Sequence, residues 1–158
     1  SDWRTCYKSY RSLAECQGDY FGLENLDLSP WIKVTPSEET KGRVIMARSL
    51  RYWNHSFPWM RAVRTYRKEA LFVGLEEEHK VFEQVTRMKV EYRPTKDLLE
   101  LAQLIAGSTL FLGNQSCPIW LAMAMGHPLI QETAYKNPDS KIIRDNALFI
   151  TSGNVNFP

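Results

Sequence analysis

Cysteine is scarce in this chain of 158 residues: Cys6, Cys16 and Cys117 are the only three, and no two of them form a CxxC pair. An odd count without that pair argues against a disulfide framework or a cysteine-held zinc ion, and points to a reducing, cytoplasmic setting. The three histidines, His55, His79 and His127, lie far apart with no HxxxH or HExxH pattern, so the sequence offers no metal site. Long apolar runs are missing too. None reaches the roughly 18 residues needed to span a bilayer, and Ser1-Asp2-Trp3-Arg4 does not open like a signal peptide. The phosphate loop GxxxxGK[ST] and the dinucleotide pattern GxGxxG are both absent, which removes NAD and FAD as expected cofactors. A net charge of +2 and the lack of RRM, KH or helix-turn-helix signatures speak against a nucleic-acid partner.

What is present is a globular composition, 44% hydrophobic and 24% charged, in a chain too short for two full α/β domains. The charge is unevenly spread. Residues 1–40 carry four basic and seven acidic side chains, whereas residues 41–70 carry eight basic and one acidic. A local anion site and a solvated helix face both fit such a basic block.

Two regions follow from the chain's punctuation. In residues 1–40, Trp3, Tyr7, Tyr10 and Leu13 recur at helical spacing, predicting a helix from about Trp3 to Cys16. Gly18, Gly22, Pro30 and Pro36 then break the chain into an irregular strap. Residues 41–158 alternate regularly. Short apolar strands are predicted at 43–47, 70–74, 90–92, 109–113, 128–131 and 147–150, and helices at 57–67, 76–88, 98–106 and 118–125. Asp97 is the expected N-cap of the third of these helices, and Gly126 ends the last. Short continuous apolar strands joined by helices imply right-handed crossovers, hence a Rossmann-like, doubly wound, mainly parallel α/β sheet.

Ligands of such sheets bind beyond the carboxyl ends of the strands, and three segments fall there. The loop 48–54 offers Arg48, Ser49 and Arg51 beside Tyr52 and Trp53; guanidinium groups bind phosphate and stack on rings, the two needs of a nucleotide diphosphate. Gly113-Asn114-Gln115-Ser116-Cys117-Pro118 joins a strand to a helix. Gly113 is expected to permit a sharp turn, Ser116 to cap the helix or bond a phosphate, and the first helical amides to attract an anion. Glu132 ends a strand, where a carboxylate accepts from sugar hydroxyls or stands solvated. Cys117 has no histidine near it in sequence, so a catalytic thiol is not expected. Met123 and Met125 read as core, Glu76–Glu78 as a solvated first turn, and His79 as an exposed helix residue.

The run Asn114-Gln115-Ser116-Cys117-Pro118-Ile119-Trp120-Leu121-Ala122-Met123-Ala124-Met125-Gly126-His127-Pro128 resembles the donor-binding motif (N/D)-D-(S/T)-G-P-x-H-L-A-A-A-x-G-x-P of heptosyltransferase-like GT-B glycosyltransferases. Ser116, Pro118, Leu121, Ala122, Ala124, Gly126 and Pro128 match it. Gln115, Cys117 and Trp120 replace its acidic residue, glycine and histidine. The resemblance implies that residues 41–150 form the C-terminal, nucleotide-sugar-binding half of a two-domain transferase. Arg48, Ser49, Arg51, Asn114, Gln115, Ser116, Cys117 and Glu132 are then the candidate donor-binding residues.

The resemblance further implies that the acceptor and the catalytic base belong to an N-terminal domain or partner chain, for which the forty residues before the first strand are too few. The chain alone is then not expected to transfer sugar. The other reading is a non-catalytic Rossmann-like module that binds a nucleotide or a protein, with the aromatics of residues 1–60 as its contact surface.

Overall fold

Four apolar side chains in a row cannot all face one layer, because successive residues of a strand point to opposite sides of its sheet. In the computed structural model, which describes residues 11–151 and 157, β1 (Val44–Ala47) accordingly feeds two cores. Val44 and Met46 pack with Trp59, Val63, Phe72 and Phe82 on one side. Ile45 and Ala47 pack with Leu104, Ile105, Phe111, Ile119 and Met123 on the other. The remaining strands are β2 (Ala70–Phe72), β3 (Glu91–Tyr92), β4 (Leu110–Asn114), β5 (Leu129–Glu132) and β6 (Ala147–Ile150). All pair in parallel, in the order β3-β2-β1-β4-β5-β6. This is the expected Rossmann-like α/β sheet, buried on both faces.

The helices are α1 (Leu13–Tyr20), α2 (Trp59–Thr65), α3 (Glu76–Thr86), α4 (Leu98–Gly107) and α5 (Cys117–Met125). Asp97 caps α4 as expected, accepting from the Glu100 amide at 2.8 Å. Gly126 closes α5 in the left-handed region, φ 67°, where a β-carbon would be strained. The expected helix at 3–16 lies partly outside the described residues, and α1 begins later than its aromatic spacing suggested. Its start is fixed by a capping box: the Ser12 hydroxyl accepts from the Glu15 amide, and the Glu15 carboxylate accepts from the Ser12 amide at 2.8 Å. The Ser12 hydroxyl also donates to the Glu15 carboxylate at 2.6 Å, and this bond, with that from the Ser12 amide, holds the Glu15 carboxyl below its ordinary pKa.

The strap after α1 lies along α4 and α5. Trp31 and Ile32 donate their amides to the Ala124 carbonyl, Ser37 to that of Gln103, and the Thr40 hydroxyl to that of Leu104 at 2.7 Å. Gly107 permits this contact: a β-carbon there would sit 2.0 Å from the Ser37 carbonyl oxygen. The strap and His127 thus close the amino ends of the central strands. His127 is only partly exposed, and burial pushes its pKa down to about 4. Its Nε2 lies 3.0 Å from the Ser108 hydroxyl. That hydroxyl donates its one proton to the Ile105 carbonyl at 2.7 Å, so Nε2–H is the donor to Ser108. His79, expected to be exposed, is instead half-buried. It stacks on Tyr92 at 4.8 Å and bonds the Val90 carbonyl at 2.9 Å, because β3 ends beneath α3.

Candidate functional site

The sheet order reverses direction between β1 and β4, so the loops after these strands diverge to opposite faces and leave a crevice at their carboxyl ends. The loop 48–58 after β1 crosses over the ends of β4, β5 and β6, and a buried network holds it there. The Glu132 carboxylate, fully buried at the end of β5, accepts four hydrogen bonds. Two come from Arg48, Nε at 2.8 Å and Nη2 at 2.9 Å. The others come from the Asn54 amide at 2.7 Å and the Trp59 indole at 2.8 Å. Two donors per oxygen fill the capacity of a carboxylate. The Asn54 side chain extends the network to the carbonyls of Thr133 and Thr151.

Glu132 is therefore neither a solvated charge nor a free acceptor for sugar hydroxyls. It is the fixed counter-ion of Arg48. Arg48 is also not a loop side chain in solvent. It is 4% exposed, stacked 4.3 Å from the Trp53 ring centroid, with Nη1 buried and lacking a hydrogen-bond partner. Arg51 is the exposed arginine of the pair, its guanidinium carbon 5.7 Å from the Tyr52 ring. Tyr52 takes a left-handed φ of 56°, a cost that the bonds on either side of it sustain.

Asn114 is fully buried and locks the two loops together. Its carbonyl oxygen accepts from the Ser49 amide at 3.0 Å, and its amide group donates to the carbonyls of Ser49 and Arg51. Gln115 ties β4 to the segment after β5, accepting from the Ala134 amide at 2.8 Å and donating to the Asn137 carbonyl. Both amide side chains thus bond protein groups. Gly113 does not make the turn expected of it. It continues β4, paired with Ala47 and Gln131, and its small size is what matters: a β-carbon would meet the Phe111 ring at 2.7 Å.

Ser116 occupies the N-cap position of α5 but makes no side-chain cap; its hydroxyl lies 3.3 Å from the Asn114 carbonyl. The first amides of α5 are left for another acceptor. They border a cavity of about 270 Å³ at the carboxyl edge of β1, β2 and β4. Arg48, Ser49 and Arg51 line it from one side, and Ser116, exposed Cys117 and Pro118 from the other. The two segments singled out in the sequence therefore meet around one cavity. Ala47 and Leu101 add to its wall, as do Gly74, Leu75, Glu78 and Thr95, which were not foreseen. The rule that finds strand-end loops applies equally to β2 and β3, and would have reached them. Among the described residues no cluster of histidine, cysteine, aspartate and glutamate has the makings of a metal site.

No protein-family model matches the chain, and no curated protein matches it in sequence. Solved structures do match in fold. A glycosyl transferase of family 9 from Veillonella parvula superposes with a TM-score of 0.58 over 90% of this chain, at 15% identity. The iron-containing heptosyltransferase TibC, a dodecamer solved with ADP-D-β-D-heptose, superposes with a TM-score of 0.55 over 88%, at 18% identity. The chain spans 49% of the first protein and 40% of the second. Its fold is thus a Rossmann-type α/β domain, shared with part of each of these two transferases. Among the described residues no helix is long and apolar enough to cross a membrane.

Proposed function

We propose that this chain is the nucleotide-sugar-binding domain of a GT-B glycosyltransferase and that the diphosphate sits in the cavity between Arg51 and the start of α5. One observation carries the proposal: exposed Arg51 and the uncapped start of α5 border a single cavity at the switch point of the sheet. Arg51 supplies the positive charge beside the helix start, since Arg48 is already neutralised by Glu132, while Glu78 carries the opposite charge on the far wall. These donors oppose the charge that develops on a departing nucleotide diphosphate, which is how a site of this kind accelerates transfer. Asn114, Gln115 and Glu132 act from behind, by holding the loops.

Catalysis in this proposal needs an acceptor domain or partner chain across the cavity, and takes place in the cytoplasm. Exposed Leu75 lines the cavity, and exposed Leu50 and Tyr52 lie in the loop that borders it, an apolar border suited to a covering surface. A thermal-shift screen against UDP, GDP, ADP, CDP and their sugars tests the binding. A rise in melting temperature with at least one nucleotide diphosphate, lost in Arg51→Ala, supports the proposal. A flat screen contradicts it. The purified chain should show no sugar transfer above background, and robust transfer would contradict the need for a second domain. A second reading, a non-catalytic protein-binding module, draws on exposed Tyr20, Phe21 and Trp31 along α1 and the strap.

A further inference from the structure

Two exposed patches of opposite charge lie on opposite faces of the sheet. The first gathers where α1 runs into the strap. Residues 11–31 carry four acidic side chains and one basic, and the basic one, Arg11, is paired with Asp19. Exposed Glu24 and Asp27 are interleaved with the exposed apolar side chains of Tyr20, Phe21, Leu23 and Leu26. The segment folds back on the end of α1. The Tyr20 and Phe21 rings meet edge to face at 5.2 Å, the Leu23 amide donates to the Gly18 carbonyl at 2.8 Å, and Leu26 lies against Gly18, where a β-carbon would strike it.

The second patch is the outer side of α2 and the turn after it. Residues 60–68 carry four basic side chains and no acidic one. Arg64, Arg67 and Lys68 are exposed, and among the described residues none of the three has an acidic partner. Met60, one helical turn before Arg64, and Val85 of α3 are both nearly half exposed and border one cavity at the seam of the two helices. We infer that the two patches dock on each other between copies of this chain, the strap of one copy against α2 of the next.

Geometry and charge together select a second copy as the occupant. Helix α2 packs on the side of the sheet that holds Val44 and Met46. The strap packs on the other side through Leu28, whose carbonyl Arg144 ties to α5. The patches therefore face away from each other and cannot meet within one molecule. Contact of like with like would set acid against acid or base against base, and both repel. The unlike pairing attracts, and it is heterologous: each contact leaves a strap free at one end and an α2 face free at the other, so assembly runs head to tail. The side-chain types match as well as the charges. Guanidinium groups stack on aromatic faces, and the strap presents Tyr20 and Phe21 beside its carboxylates. Neither patch borders the cavity at α5, so the inference stands apart from the nucleotide proposal.

Sedimentation velocity of the purified chain tests it. The weight-average sedimentation coefficient should rise with concentration at low salt. It should fall back toward the monomer as salt shortens the Debye length from about 10 Å at 0.1 M to about 3 Å at 1 M. Glu24→Lys with Asp27→Lys, and Arg64→Glu with Arg67→Glu, should each weaken association tenfold or more, about 1.4 kcal/mol. Mixed in equal amounts, the two variants should associate again, because the reversed strap of one meets the reversed helix of the other and their unaltered faces also match. Phe21→Ser and Met60→Ser should weaken association with no change in the circular dichroism spectrum, and they keep the test open if a charge reversal unfolds its chain. Arg51→Ala should associate as the unaltered chain does. A chain that stays monomeric at every concentration would overturn the inference. So would association that both reversals leave intact, or a mixture of the two variants that stays monomeric.

Discussion

The two ends of the sheet are held together in different ways. At the amino ends of the strands, the strap and His127 close the fold with backbone bonds, a close glycine approach and one neutral imidazole. At the carboxyl ends, the chain buries an arginine, a glutamate, two asparagines and two glutamines at or just beyond the ends of β1, β4 and β5. Burying that many polar groups costs stability that apolar packing would not, and each needs a partner. Nearly all have one. The exceptions among the described side chains include Arg48 Nη1 and Gln131 Oε1, both at this end.

That contrast fixes where substitutions should hurt. Glu132→Ala leaves Arg48 charged and buried without its counter-ion, and should destabilise the fold by about 3–5 kcal/mol in denaturant titration, the largest loss at either end. At the amino end the largest effect depends on pH. The folded pKa of His127 is depressed to about 4 by burial, below its ordinary value. Between the two values the unfolded chain binds more protons, so this contribution is fully present above the ordinary histidine range and is lost as pH falls through it. The loss amounts to at most about 3 kcal/mol. His127→Gln should flatten that part of the stability profile between about pH 6.5 and pH 4, and an unchanged slope would show that the imidazole is not the group responsible. Gly107→Ala pushes a methyl group into the Ser37 carbonyl and should cost about 1–3 kcal/mol, less if the strap can retreat. Arg51→Ala should change stability by no more than about 0.5 kcal/mol, since the side chain is exposed and its partner is a ring 5.7 Å away.

The sheet was legible because strand and helix periods differ and because each apolar run is short and bounded. All six strands lie where their runs predicted. The site was legible only as a location. Strand-end loops and the turn at Asn114 were readable; the direction of each side chain was not. Arg48 and Arg51 look alike three residues apart, yet one is buried against Glu132 and the other is exposed. Their difference depends on an ion pair between residues 84 positions apart in the chain, which no local pattern records. Asn54 and Trp59, which complete the Glu132 network, sat in segments read as loop and helix. The capping box at Ser12 was readable, and aromatic spacing drew the helix start away from it.

The nucleotide proposal turns on the two arginines being unequal, so calorimetric titration of the tightest-binding nucleotide diphosphate at fixed salt decides it. Arg51→Ala should weaken binding tenfold or more, a loss of about 1.4 kcal/mol or greater. Arg64→Ala and Arg67→Ala, on and just beyond α2, should change it little. If the helix arginines matter as much as Arg51, the basic block acts as a diffuse field and the cavity at α5 is not the site.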